Sequence, residues 1–428
     1  MMEERTCDLL VRNARQLITL RSSEPGPRCG RAMEDLGVVE DGAVAVRTGR
    51  IVAVGVTDDV LSEVALSPGC IEIDASGKIV LPGFVDAHTH PIFVGSRDDE
   101  FELRIKGATY QEIARRGGGI RATVRKVRQA SKQELFEAAL PRLDRMLEHG
   151  TTTIEAKSGY GLSTEDEIKM LEVVRDLQES HPVDLVPTFL GAHEVPDEYR
   201  GKKPEYIELI LHEMIPAVAE RELAEFCDVF CEEEVFDVEE SKLILTAARE
   251  AGLEVKLHAD ELSPFGGAEL AAELEALSAD HLVAVSDQGI MALKSQGVIA
   301  VLLPGTTFSL GCRQYAPARR MITTEVPVAL ATDMNPGSCR TESMAIIITL
   351  ACVMMRLTPA EAIAAATLNG ACAVAREGAI GSLDIGKKGD IVIWDMPRYS
   401  YLPYHFGVNF VEMVIKDGKV VVDKRNKN

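Results

Sequence analysis

Five of the nine histidines in this 428-residue chain stand where apolar runs end, and these are the residues best placed to do chemistry. His88 and His90 follow Leu81-Pro82-Gly83-Phe84-Val85-Asp86-Ala87 and lie two residues apart, so an extended chain turns both side chains the same way. His193 closes Gly191-Ala192-His193-Glu194, His258 sits in Lys256-Leu257-His258-Ala259-Asp260-Glu261, and His281 ends Ala279-Asp280-His281. Asp333 ends Ala331-Thr332-Asp333. Imidazole nitrogen and carboxylate oxygen are ordinary ligands of zinc and of iron. An HxH pair alone is common strand polarity. HxH, a later histidine and a final aspartate at successive strand ends seldom arise by chance, and they predict a metal site with room left for water. His149 precedes Gly150 and reads as a helix end, where histidine complements the dipole and glycine caps the turn. His181, His212 and His405 have no supporting neighbours in sequence.

Such residues need a frame that gathers distant strand ends. Apolar, strand-like runs recur at 79–85, 151–156, 185–190, 224–229, 254–257, 279–282, 298–303 and 327–331, with helical segments such as 164–179 and 241–251 between them. Eight strands alternating with helices predict an α/β fold, a (β/α)8 TIM-type barrel whose functional groups collect at the C-terminal strand ends. A doubly wound open sheet is the competitor, but no glycine fingerprint follows the first strand. Thr164, with Glu167 three residues on, reads as a capping box. Residues 7–80 and the tail around Asp390-Ile391-Val392-Ile393-Trp394 are β-rich, and each has too few strands to be stable alone. They are expected to pair into a composite, sandwich-like β-lobe of residues 1–80 and 376–428, leaving 81–375 for the barrel. Residues 21–36, rich in proline, glycine and charge, read as a surface loop, and Asp417-Gly418 marks a hairpin turn.

Composition narrows the partners. A formal net charge of −21 disfavours nucleic acid and anionic membrane and leaves a small molecule as the expected partner. No run approaches the ~20 apolar residues of a bilayer span, and no basic region leads into an apolar one at the start. The nine cysteines include no CxxC pair. Cys227 and Cys231 could share a strand face, but reduced, buried thiols and a cytoplasmic setting are the expectation.

The run Pro82-Gly83-Phe84-Val85-Asp86-Ala87-His88-Thr89-His90 is similar to the opening signature of the amidohydrolase superfamily. Within it the chain resembles the imidazolonepropionase family. The segments that carry this are Gly117-Gly118-Gly119-Ile120, Lys157-Ser158-Gly159-Tyr160-Gly161, His258-Ala259-Asp260-Glu261-Leu262, Leu303-Pro304-Gly305-Thr306-Thr307 and Thr332-Asp333-Met334-Asn335-Pro336-Gly337-Ser338. HxH is a superfamily-level feature, whereas KSGYG together with TDxNPGS is specific. The resemblance implies a barrel with a lobe from both termini, and hydrolysis of 4-imidazolone-5-propanoate to N-formimidoyl-L-glutamate in histidine degradation. It further implies a homodimer and one metal ion, Zn2+ or Fe3+, held by His88, His90, His258 and Asp333. Substrate contacts are implied at Arg97, Tyr110, Tyr160, His193 and Asn335, with Gly337 and Ser338 adding donors. Residues 309–314 depart from the family pattern, and Glu232-Glu233-Glu234 reads as a solvated loop without a role.

A cyclic amide needs a stronger nucleophile and a polarised carbonyl, and a metal ion that activates water can supply both. Glu261 and Asp333 compete as proton acceptor, and His281 would orient the carbonyl or stabilise the oxyanion. Arg97, nine residues after His88, would grip the propionate. Two rivals stand beside this reading. One is a heterocycle aminohydrolase (a deaminase), for which His258-Ala259-Asp260-Glu261 supplies an HxxE arrangement. The other is a barrel kept as a non-catalytic scaffold, which the complete ligand set argues against.

Overall fold

Residues 5–22, 25–108, 112 and 117–425 are described by the structure, a computed structural model. Alternating aliphatic residues open the chain with five lobe strands: β1 (Arg5–Ile18), β2 (Val38–Arg47), β3 (Arg50–Val56), β4 (Val64–Asp74) and β5 (Ile79–Pro82). Eight parallel strands follow, each paired with the next: β6 (Phe84–Asp86), β7 (Thr151–Lys157), β8 (Asp184–Ala192), β9 (Phe226–Cys231), β10 (Glu254–Ala259), β11 (Ser278–His281), β12 (Ile299–Leu302) and β13 (Val328–Leu330). The tail returns as β14 (Ile391–Trp394), β15 (Val411–Lys416) and β16 (Lys419–Asp423). β14 pairs antiparallel with β5, which joins both chain ends in one sheet.

The eight parallel strands form a nearly closed barrel. At its seam Thr89 bridges Met334 in parallel, the His90 amide donates to the Met334 carbonyl (2.9 Å), and the Asp333 amide donates to the His88 carbonyl (3.0 Å). The seam therefore runs through the HxH segment and Asp333.

Three expectations need correction. The first apolar run is two strands: Ile79–Pro82 belongs to the lobe and only Phe84–Asp86 to the barrel. The chain changes sheet at Gly83, where a Cβ would run into the Thr152 side chain. The helix Thr164–Ser180 is capped by Ser163, whose Oγ accepts the Asp166 amide at 3.2 Å. Thr164 is not the cap, because Glu167 turns inward to other partners. Residues 21–36 are not a plain surface loop. They contain the 3-10 turn Gly30–Glu34; Met33 within it and Leu36 after it are buried in the barrel's hydrophobic core, and the Arg28 amide donates to Asn369 Oδ1 at 2.8 Å. His149 does cap the helix Lys132–Glu148, with Gly150 at φ +89° behind it.

Lobe and barrel share a buried ion cluster. The Lys416 ammonium, with its side chain 2% exposed, lies 3.0 Å from Asp184 at the start of β8 and 3.0 Å from both Asp390 and Asp417 of the lobe. Burial works against the charge of Lys416, but Asp390 and Asp184 outweigh it and raise its pKa. Trp394, the single tryptophan, lies at the other end of β14, where it packs on the barrel 5.5 Å from the Phe84 ring. Lys416→Met strands the buried Asp390 charge and should cost about 3–5 kcal/mol. Urea unfolding followed by Trp394 fluorescence reads this directly; a midpoint equal to wild type would refute it.

Candidate active site

Alternate residues of a barrel strand point inward, which decides what this interior contains. The barrel interior is charged where an apolar filling is the usual one: Glu155 and Lys157 on β7, Asp228 on β9, Lys256 on β10 and Asp280 on β11 are all fully buried. Lys157 Nζ lies 2.9 Å from Glu155 and 2.7 Å from Asp228, and Lys256 Nζ lies 2.9 Å from Glu155. Counted as ions, two lysines face three carboxylates.

Above this layer the strand ends bring five imidazoles together. Ring centroids are 5.3 Å apart for His88–His90, 4.5 Å for His88–His258, 5.1 Å for His258–His281 and 5.1 Å for the stacked pair His90–His193. Asp333 Oδ1 lies 3.6 Å from His88 Nε2 and 3.5 Å from His90 Nε2. Ligand atoms within 4.8 Å of one another fall into the groups His88–His90–Asp333, His88–His258–His281 and His90–His193–His258, so His88, His90, His258 and Asp333, distant in sequence, share the mouth with His193 and His281. Asp333 and His281 hold φ of +52° and +74°, a left-handed conformation that costs any residue with a Cβ but that aspartate and histidine adopt more readily than most.

The donor set fits a cation. His88 Nδ1 is bound to Asp280 Oδ2 at 2.6 Å, while its Nε2 is buried with no hydrogen-bond partner. A carboxylate behind one imidazole nitrogen and a free lone pair in front is how proteins present histidine to a metal. Burial holds His88 and His90 well below the usual imidazole range, so both are neutral and able to ligate. Burial also pushes Asp333 up to about 6 and Glu261 up to about 8, the latter with Asp333 adding to the effect.

The rim is set by loops that buried carboxylates hold. Glu167 accepts the amides of Gly159, Gly161 and Leu162 (3.0, 2.8 and 2.8 Å) and so shapes the loop that carries Tyr160. Tyr160 is buried beside His90 and His193, at centroid distances of 5.8 and 5.4 Å. Glu100 receives Arg97 Nε and Nη2 (3.0 and 2.8 Å) through one oxygen and the Gly119 amide (2.9 Å) through the other. Gly337 lies against the remaining edge of the Arg97 guanidinium, where a Cβ would collide with it. Asn335 is engaged within its own loop: Oδ1 accepts the Gly337 and Ser338 amides, and Nδ2 donates to Asp333 Oδ1 (3.0 Å) and to Ser338 Oγ (2.9 Å). Glu261 lies 3.6 Å from His281 Nδ1 and accepts no hydrogen bond among the described residues. Tyr110 lies outside the described residues.

The layer Glu155, Lys157, Asp228, Lys256 and Asp280 was not singled out from sequence. Its signal was there: ionisable residues in the middle of apolar strands. Glu232 also needs correction. It is buried and accepts the Leu262 amide (2.9 Å) and the Ser263 hydroxyl, while Glu233 and Glu234 are exposed. In the divergent stretch, residues 311–314 are exposed and Gln314 donates to the Val283 carbonyl at 3.1 Å. His181, His212 and His405 pair with Asp144, Glu208 and Tyr401, away from the mouth.

Residues 79–421 match the model of the amidohydrolase family. Imidazolonepropionase of Alkaliphilus metalliredigens (strain QYMF) is 49% identical over 418 residues, covering 97% of this chain and 98% of that one. Imidazolonepropionase of Geobacillus kaustophilus (strain HTA426) is 52% identical over 416 residues, with the same coverage. Among solved structures, a zinc-bound adenosine deaminase from Xanthomonas campestris superposes with a TM-score of 0.69 at 20% identity, over 99% of this chain and 94% of that one. A 5-methylcytosine deaminase from Klebsiella pneumoniae gives 0.71 at 16%, over 97% and 98%. At such identities the structures speak for the fold alone.

Removing the Glu167 carboxylate leaves three buried amides without an acceptor. Glu167→Ala should cost about 3 kcal/mol or more and should speed hydrogen exchange at Gly159, Gly161 and Leu162. Unchanged exchange at these amides would contradict the anchoring role.

Proposed function

The chain belongs to the amidohydrolase family, and from that premise we propose that it opens the cyclic amide 4-imidazolone-5-propanoate, giving N-formimidoyl-L-glutamate in histidine degradation. It is a hydrolase of carbon–nitrogen bonds. The observation that carries the substrate is identity of about one half to imidazolonepropionases along 97% of the chain. Family membership and the His/Asp cluster together imply a bound metal. Our reading is that His88, His90, His258 and Asp333 hold it, as Zn2+ or Fe3+. When bound, the ion supplies a Lewis acid and lowers the pKa of a water towards neutrality.

The chain's own residues divide the remaining work. Glu261 takes the proton from the attacking water and returns it to the departing ring nitrogen. Asp333 is the weaker contender for this role, because Thr306 and Asn335 already occupy its two oxygens whereas Glu261 is unbonded. His281, next to Glu261, orients the carbonyl and stabilises the developing oxyanion. Arg97 meets the propionate through Nη1, the nitrogen that Glu100 does not engage, at the place where the lack of a side chain on Gly337 leaves room beside it. Tyr160 and His193 wall the ring, Gly337 and Ser338 offer donors, and Asn335 shapes their loop. Tyr110 is kept as a substrate contact on the family resemblance. No helix among the described residues is long and apolar enough to cross a membrane. All nine cysteines are unpaired, which supports a reducing, cytoplasmic setting. A homodimer remains part of the proposal on the family resemblance.

Freshly generated imidazolone propionate should lose its ring absorbance on addition of the enzyme without releasing ammonia. Stoichiometric ammonia would replace this reading with that of a deaminase. His88→Ala and His258→Ala should each abolish stoichiometric metal by elemental analysis, and His193→Ala should keep it. Metal retained in the first two would remove them from the ligand set. Arg97→Met should raise KM roughly 10- to 100-fold, the worth of a charged hydrogen bond, with metal content unchanged; an unaltered KM would exclude the clamp.

A further inference from the structure

We propose that Lys157 is a positioning residue for His88 and His258, acting on both through carboxylates that its one ammonium holds. The inference rests on the reading of those two histidines as metal ligands. Lys157 Nζ lies 2.7 Å from Asp228 Oδ2 and 3.7 Å from Asp280 Oδ2. The same Asp228 oxygen stands 2.9 Å from His258 Nδ1, and the same Asp280 oxygen stands 2.6 Å from His88 Nδ1. One cation therefore sits behind two carboxylates, each of which backs one imidazole.

The other carboxylate oxygens are also fixed. Asp228 Oδ1 accepts the His258 amide at 3.1 Å, and Asp280 Oδ1 accepts the Ser278 hydroxyl at 2.7 Å. Asp280 fixes the His88 Nδ1 hydrogen and leaves the His88 Nε2 lone pair open, while Asp228 stands 2.9 Å from His258 Nδ1 out of line for a hydrogen bond and holds that ring by charge and by its backbone amide. Without the ammonium, Asp228 loses the cation bonded to it and Asp280 keeps only Lys256, beyond ion-pair distance, in a dry interior. They then separate or share a proton, and either change frees the imidazoles to rotate or to exchange tautomers. Backing partners of this kind typically contribute 10- to 100-fold to metal affinity.

A plain structural role is the alternative: Lys157 would only neutralise buried charge so that the barrel folds. Lys416 supplies the control, since it too is a buried ammonium among three carboxylates but lies at the lobe junction. Wild type, Lys157→Met and Lys416→Met are stripped with a chelator. Zn2+ affinity is then measured by competition with a chromophoric chelator, and the visible spectrum is recorded with Co2+. We expect Lys157→Met to lose roughly 10- to 100-fold in Zn2+ affinity and to show altered Co2+ bands. Lys416→Met should lose stability but keep both metal readouts. If Lys157→Met is insoluble, Lys157→Gln, which keeps an N–H donor for Asp228 without the charge, is judged by the same two readouts. Wild-type affinity and spectrum in the soluble Lys157 variant would overturn the positioning role, whatever its melting temperature. Wild-type protein that binds no metal at all would instead sink the ligand assignment beneath it.

Discussion

An ammonium that no water reaches must be matched by carboxylates that no water reaches, and this constraint shapes the barrel. Lys157 and Lys256 sit where barrels usually carry branched aliphatic residues. Each ion loses several kcal/mol of hydration on burial, which only close and fully bonded counter-ions can offset. Glu155 meets both lysines and also receives the Thr188 hydroxyl, so three strands are tied through one side chain. An apolar filling would hold the strands as well. It could not aim two imidazoles, and it would leave no negative charge to attract a cation.

The same logic extends outward. Each functional loop closes on a carboxylate that is buried or nearly so: Glu100 under Arg97, Glu167 under Tyr160, Glu232 and Asp260 on either side of Glu261, Asp86 beneath Asp333. Asp260 alone accepts the amides of Phe265, Gly266, Gly267 and Ala268 within 3.1 Å, and Asp86 receives the Thr332 amide and hydroxyl. A carboxylate in such a cradle has one acceptable position, because any shift strands either a charge or several amides. The loops are thereby as well defined as the strands they follow.

Much of this is legible in the sequence. Period and length gave the alternating strands, and the strand-end residues gave the cluster of histidines and Asp333 at the mouth, because inward direction and strand order follow from local chemistry. Glu167 shows where that legibility ended. Three residues after Thr164 it imitates a capping box, yet its partners are amides five to eight residues earlier that only the folded loop brings near. Lys157, Asp228 and Asp280 failed for a related reason. A charged residue in an apolar run is ambiguous until the strand's neighbours are known, and those neighbours are 71 and 123 residues away in sequence. Gly83 failed differently: no periodicity signals a chain that leaves one sheet and enters another within a single apolar run.

The seam of the barrel joins these levels. β6 and β13 are its shortest strands, three residues each, and regular pairing between them is replaced by bonds around Thr89 and Met334. A longer ladder would carry His88, His90 and Asp333 past one another in extended conformation, with side chains spread along the strands. Ending the strands early lets Asp333 turn into a left-handed conformation and bring its carboxylate back over the two histidines, while its amide stays bonded to the His88 carbonyl. The left-handed turn at Asp333 and the incomplete closure are therefore one feature. The barrel gives up regular hydrogen bonding where its first and last strands bring His88, His90 and Asp333 to a common point.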